Sequence, residues 1–215
     1  TTEIYTLSLH DALPILETQW RQRYGRSFAE RDIDEVYQTF LPIQEACIEE
    51  FSRVIPGAVE TVAELRRRGI RIGSSTGYTR AIMDRVMRAA KAQGLEVDSM
   101  TCATDVAEGR PCPWMIFENM RRLRVFPPAG VVTIDDTVVG IEAGLNAGTW
   151  TVGIAATGNL VGLGREEFES LRDTERRARV GSAREKLDAA GAHYIIDSIG
   201  ELPMVLDDIR SKRGG

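Results

Sequence analysis

From residue 58 onward the apolar positions switch back and forth between a helical and a strand-like period. "AVETVAELRRRG" (58–69) sets Val59, Val62, Ala63 and Leu65 on one helical face and stops at Gly69. "IRIGSS" (70–75) reads as a short strand, "RAIMDRVMRAAKAQG" (80–94) as a helix ending at Gly94, and "SMTCA" (99–103) as a strand. "PWMIFENMRRL" (113–123) opens on proline, which is favoured in a helix's first turn. "GVVTI" (130–134) follows as a buried strand, "GIEAGLNAG" (140–148) as a small-residue helix and "TWTVGIA" (149–155) as a strand. Residues 165–190 are helical, "HYIID" (193–197) is a strand, and "ELPMVLDDIR" (201–210) closes the chain as a helix. Strands alternating with helices of this length predict right-handed βαβ units: an open α/β fold whose parallel sheet is covered on both faces.

Residues 16–54 stand outside that alternation. They read as two helices, "LETQWRQRY" and "DIDEVYQTFLPIQEACIEEFSRV", the second interrupted at Pro42, before "IPG" (55–57) turns into the α/β region. Two such helices predict a helical cap or part of one. Residues 1–15, "TTEIYTLSLHDALPI", fit neither pattern: Tyr5, Leu7 and Leu9 alternate like a strand and Asp11 follows. "LSLHDALPI" is also similar to the peptide that a translated sequencing adapter gives, so 1–15 are read as a non-native segment.

A chain of 215 residues suits one domain with at most a small appendage, and 43% hydrophobic with 27% charged residues suits a sizeable core. A net charge of -5 argues against a nucleic-acid or membrane-surface binder, which needs a basic face. No apolar run reaches transmembrane length and no basic-start signal peptide is visible. Cys47, Cys102 and Cys112 lack metal-ligand spacing and read as free buried thiols of a reducing compartment. These features predict a cytoplasmic enzyme or binding domain.

Ligands of open parallel sheets sit beyond the carboxyl ends of the strands, and three polar clusters fall there. In Ser74-Ser75-Thr76-Gly77-Tyr78-Thr79, a hydroxyl at a strand end beside a helix start suits a phosphate; alternatively, Thr76 and Thr79 merely cap the next helix. In Gly109-Arg110-Pro111, a guanidinium between two such loops suits phosphoryl charge; alternatively, Arg110 is a solvated loop arginine. The adjacent Asp135 and Asp136 are hard oxygen ligands suited to Mg2+, which would also relieve their repulsion; alternatively, they form a turn or cap. His10 and His193 are poor general-base candidates, and neither a G-x-S-x-G elbow nor a GxxxxGK[ST] loop occurs.

These clusters, in this order, resemble the haloacid dehalogenase superfamily. "RGIRIGSSTGYTR", "EGRPCPWMIFENM", "DDTVVGIEAGLNAGTWTVGIA" and "AGAHYIIDSIGELPMVLDDI" are similar to the phosphonoacetaldehyde hydrolase (phosphonatase) family over roughly 16–210. The resemblance implies a Rossmann-like core with a parallel sheet plus a partial helical cap: a cap remnant at 16–54 and a core at 55–215. It implies that Thr76 holds phosphate and that Arg110 takes the basic position where most relatives have lysine. Asp136 becomes the magnesium ligand with Asp135 beside it, while Gly77 and Tyr78 shape the pocket. The family reaction cleaves the C–P bond of phosphonoacetaldehyde to acetaldehyde and phosphate, using Mg2+, a Schiff-base lysine from the cap and an aspartate nucleophile on the first core strand. The family also implies a homodimer through cap helices, with a small-molecule substrate and no nucleic-acid or membrane partner.

Some members carry a further aspartate where this sequence has Gly140. No Phe-Asp-x-x-Gly-Thr stretch occurs, and none of the three lysines, Lys91, Lys186 and Lys212, falls in the cap segment. The expectation is a 5′-truncated sequence whose core lacks its first, central strand. That would expose apolar faces, destabilise the chain and leave it without C–P hydrolysis. Two other readings stay open: another phosphatase of the superfamily, and a non-catalytic anion-binding relative.

Overall fold

The computed structural model describes the backbone of residues 9–48 and 51–214. Helices α1 (Leu9–Tyr24) and α2 (Glu30–Cys47) come first. The strand-like alternation is thereby corrected at Leu9, which opens a helix; Tyr5 and Leu7 lie outside the described residues. α2 runs through Pro42 without the expected interruption. A mid-helix proline costs roughly 3 kcal/mol, and here both ends of the helix are tied down. At the start, Asp32 accepts from the Ala29 N–H at 2.7 Å and from both terminal nitrogens of Arg26. At the end, Ile48 is fully buried and the Ser52 hydroxyl donates to its carbonyl.

The α/β region then alternates as the periodicity predicts. Its elements are α3 (Ala58–Arg67), β1 (Gly73–Thr76), α4 (Arg80–Ala92), β2 (Ser99–Cys102), α5 (Trp114–Leu123), β3 (Val132–Asp135) and α6 (Val138–Asn146). After them come β4 (Trp150–Ile154), α7 (Arg165–Ser170), α8 (Asp173–Ala189), β5 (Tyr194–Ile196) and α9 (Leu202–Gly214). Gly69, Gly94 and Gly148 follow helix ends with φ of 74°, 89° and 71°, the left-handed turn that makes glycine a helix stop. β1 begins later than the expected 70–75, because Ile72 spends its N–H and C=O on the Asp98 carboxylate (2.8 Å) and the Asp98 N–H (2.7 Å). On α3 the buried face is Thr61 and Leu65, and Ala63 is exposed. Only Cys102 is a fully buried thiol; Cys47 and Cys112 are half-buried, and all three are free.

Every pairing is parallel, as expected, but the strands form two sheets among the described residues: β1-β2 and β3-β4-β5. Registers such as Thr76↔Cys102 and Asp135↔Gly153 bring the carboxyl ends of paired strands level. The three-stranded sheet is covered on both faces. Leu65, Val152, Ile154, Ile196, Leu202, Val205 and Ile209 pack on one side; Ile141, Ala155, Ala183 and Leu187 pack on the other. α6 lies so close to this sheet that a Cβ on Gly144 would sit 2.2 Å from the Thr133 Oγ1. That proximity is why its helix is built of small residues. No helix among the described residues is long and apolar enough to cross a membrane.

Candidate active site

β1 ends on Thr76, whose Oγ1 accepts the Tyr78 N–H at 3.2 Å, closing a tight turn. Thr79, three residues on, caps α4 by accepting the Ile82 N–H. The two threonines therefore divide the roles that the sequence left open: Thr79 is the cap, and Thr76 faces the strand end. Tyr78 is half-buried, and burial pushes its phenol well above the ordinary range.

Arg110 is no solvated loop residue. Its Nη1 donates to the Asp135 Oδ2 at 2.9 Å, with the two side chains 18% and 16% exposed. Its Nη2 lies 3.6 Å from where a Cβ on Gly77 would stand. One guanidinium thus spans from the end of β1 to the end of β3, two strands that do not pair with each other.

Asp135, the last residue of β3, is held from a second side. Its Oδ1 accepts the Thr137 N–H at 2.9 Å and the Thr137 hydroxyl at 2.7 Å, while Thr137 caps α6 by accepting the Gly140 N–H. The turn-and-cap reading of this pair is thus correct for Asp135. Asp136 differs: the Asn159 N–H donates to its Oδ2 at 2.7 Å. Burial raises its carboxyl first, and the neighbouring Asp135 charge raises it further; the Asn159 N–H and Arg110 pull the other way. The net direction is up, as expected where desolvation and a like charge outweigh the donors nearby.

Sequence reasoning missed Thr137, Asn159 and the meaning of Gly140. A Cβ at Gly140 would sit 1.9 Å from the Asp135 Cγ, so this glycine is where α6 lets the Asp135 carboxylate in. The threonine directly after the acidic pair was the available signal, since a hydroxyl there caps the following helix.

His193 belongs to the scaffold, as expected: its Nδ1 accepts from the Thr151 N–H at 3.1 Å, at the amino end of β5. The side chains of His10 and Asp11 lie outside the described residues. Lys91 pairs with Glu96 beyond the far end of α4, and Lys212 pairs with Asp208 on α9. Neither approaches the cluster.

The profile of the haloacid dehalogenase-like hydrolases matches residues 5–148. The chain belongs to that family, in its phosphonoacetaldehyde hydrolase branch. It is 44% identical over 201 residues to the phosphonoacetaldehyde hydrolase of Paraburkholderia phytofirmans, covering 94% of this chain and 75% of that protein. It is 41% identical to the Klebsiella pneumoniae phosphonoacetaldehyde hydrolase, covering 93% and 75%. A crystal structure of a phosphonoacetaldehyde hydrolase-like protein from Oleispira antarctica superposes with a TM-score of 0.87 at 39% identity, covering 94% of this chain and 74% of that one. The Rossmann-like α/β architecture expected of a haloacid dehalogenase core is therefore the observed one.

Proposed function

We propose that the cluster grips the phosphonyl end of phosphonoacetaldehyde, as part of a site for hydrolysis of its C–P bond. The observation that carries this reading is the Arg110 guanidinium, lodged between the Thr76–Gly77 turn and Asp135. Arg110 neutralises phosphonyl charge with donors in a fixed fork, the Thr76 hydroxyl donates to a second oxygen, and Gly77 and Tyr78 shape the wall. The family of this chain supports the substrate class.

The residues fit Mg2+. Asp136 is a half-buried hard oxygen donor with Asp135 beside it, and desolvation and that neighbouring charge push its carboxyl up. Among the described residues no group of three or more His, Cys, Asp or Glu gathers to hold a metal. Water and phosphonyl oxygens would complete the shell, an arrangement that Mg2+ accepts. Bound there, the ion supplies Lewis-acid stabilisation of phosphonyl charge.

The reading also calls for a nucleophilic aspartate on a further core strand, which would sit where Arg110 joins the ends of β1 and β3. Neither that aspartate nor the Schiff-base lysine corresponds to a described residue. The reading extends to a cytoplasmic setting and a homodimer through the cap. Val36, Phe40 and Ile43, spaced as one helical stripe on α2, are 48%, 46% and 61% exposed and form the dimer face.

Calorimetric titration with phosphonoacetaldehyde, with and without Mg2+, tests the site, alongside a coupled assay for acetaldehyde. The expected result is Mg2+-dependent binding, weakened by Thr76→Ala and Arg110→Ala and lost in Asp136→Asn, with any acetaldehyde release falling in the same order. Binding that ignores all three substitutions would overturn the assignment.

A further inference from the structure

Arg80 breaks a local rule. It occupies the first position of α4, where the helix dipole disfavours positive charge, and no acidic residue shares that first turn. Its partner lies in a different loop: Nη2 of Arg80 is in contact with Oδ2 of Asp105. Asp105 is 17% exposed and ties down more than one element. The same Oδ2 accepts the Cys102 N–H at 3.0 Å, fixing the end of β2, and Nη2 of Arg122 on α5 stands 3.5 Å away. A carboxylate so surrounded is a junction, and what it joins is telling. Arg80 follows Thr76 by four residues, and Asp105 precedes Arg110 by five. β1 and β2 are neighbours with Thr76 opposite Cys102, so the two loops leave adjacent strand ends.

We infer that the Arg80–Asp105 pair is a positioning device: it cross-links the loop bearing Thr76 to the loop bearing Arg110 and so sets the spacing of the two phosphonyl-binding groups. The inference rests on the assignment of Thr76 and Arg110 as anion-binding residues, and neither Arg80 nor Asp105 itself touches the ligand. The ion pair offsets the unfavourable dipole at this arginine and holds the turn from Gly77 to Thr79 in register with Arg110. Surrounding groups of this kind typically change ligand affinity when removed, because an error of an ångström in donor placement is felt directly.

Inorganic phosphate in the presence of Mg2+ is the probe, titrated calorimetrically into the full chain, with thermal unfolding recorded in parallel. Asp105→Asn keeps the shape and an oxygen for the Cys102 N–H but removes the charge; it should weaken phosphate binding about tenfold. Arg80→Lys should restore part of what Arg80→Ala loses. The double variant Arg80→Ala/Asp105→Asn should bind no worse than the weaker single variant, since both remove the same link. Phosphate affinity unchanged in Asp105→Asn, or single losses that multiply in the double variant, overturns the inference. So does a fall in unfolding temperature with the affinity of the folded protein intact. Arg110→Ala separates the two claims. If it binds phosphate as well as the parent chain, the anion-site assignment fails and the positioning role with it. If it binds poorly while Asp105→Asn binds normally, only the positioning role fails.

Discussion

Gly140→Ala offers the sharpest test of how the acidic pair is built. The added Cβ would lie 1.9 Å from the Asp135 Cγ and 2.1 Å from each carboxylate oxygen. Ordinary carbon contacts are about 3.5–4.0 Å, so something must move by well over an ångström. Cγ is one bond from the Asp135 Cβ, and relief therefore requires the side chain to rotate away from its site. That rotation gives up the contacts to Arg110 at 2.9 Å, the Thr137 N–H at 2.9 Å and the Thr137 hydroxyl at 2.7 Å. Overpacking costs about 1–3 kcal/mol and lost hydrogen bonds to a charged group about 1.5–3 kcal/mol, against a gain of about 0.5–1 kcal/mol from replacing a helical glycine. The net expectation is a loss of roughly 2–4 kcal/mol, or about 5–15 °C in unfolding temperature for a chain of this size. Gly181 supplies the control. It lies inside α8 with nothing within 4 Å of its would-be Cβ, so Gly181→Ala should gain about 0.5–1 kcal/mol. Urea unfolding of the two variants, with Mg2+-dependent phosphate titration, measures both effects. A Gly140→Ala protein as stable as its parent and with unchanged ligand affinity would refute the reasoning.

Other substitutions probe separate parts of the chain. In Asp136→Asn, removing a carboxylate that burial and Asp135 both disfavour should raise the unfolding temperature of the metal-free protein. It should also abolish the shift that Mg2+ gives the parent, about 2.7 kcal/mol at a hundred times the dissociation constant; a persisting shift would place the ion elsewhere. Asp32 is held well below the usual carboxylate range, first by Arg26 and then by the Ala29 N–H. Its stabilising contribution is therefore present above about pH 4 and lost as the pH falls, so Asp32→Asn should flatten the acid side of a plot of urea midpoint against pH. Ile43→Glu puts a charge in the exposed stripe of α2 and should convert the proposed dimer to monomers in light scattering, while leaving the unfolding temperature of the monomer within a few degrees of the parent's; a parent chain already monomeric in light scattering would refute the dimer face.

Much of the core was legible because its signals are local. Period changes placed each strand and helix, and glycines with positive φ marked the helix ends. Thr76 and Asp135 were visible as polar residues at strand ends, and Arg110 as a basic residue in the loop between β2 and α5. What the sequence does not carry is how they meet: the Arg110–Asp135 bond links residues 25 apart, and no periodicity encodes a contact of that range. The same holds for the Asn159 N–H on Asp136, which reaches across from the loop after β4. Pro42 shows the opposite failure. A strong local signal for a break was overridden by anchoring at both ends of α2, a tertiary effect that a propensity rule cannot contain.

The adjacent aspartates illustrate how a fold separates two like charges that sequence leaves equivalent. Both follow an apolar run, and by spacing alone either might anchor or ligate. Asp135 closes β3 and Asp136 lies in the bend just after it, and the two side chains meet different neighbours. Asp135 meets Thr137, the room left by Gly140 and the Arg110 guanidinium, so both of its oxygens are already answered. Asp136 meets the Asn159 N–H and its own backbone N–H, and desolvation together with the field of its neighbour drives its carboxyl up. The repulsion between them is thus not shared evenly: Asp135 is neutralised by protein, and the deficit of positive charge is concentrated on Asp136. An incoming cation gains most at the carboxylate with the least protein compensation. On this argument, Asp135→Asn should free Arg110 and disturb the anion site more than the metal, whereas Asp136→Asn should do the reverse. Titrating phosphate and Mg2+ separately into each variant distinguishes the two carboxylates, and equal losses of both ligands in both variants would show that the division does not exist.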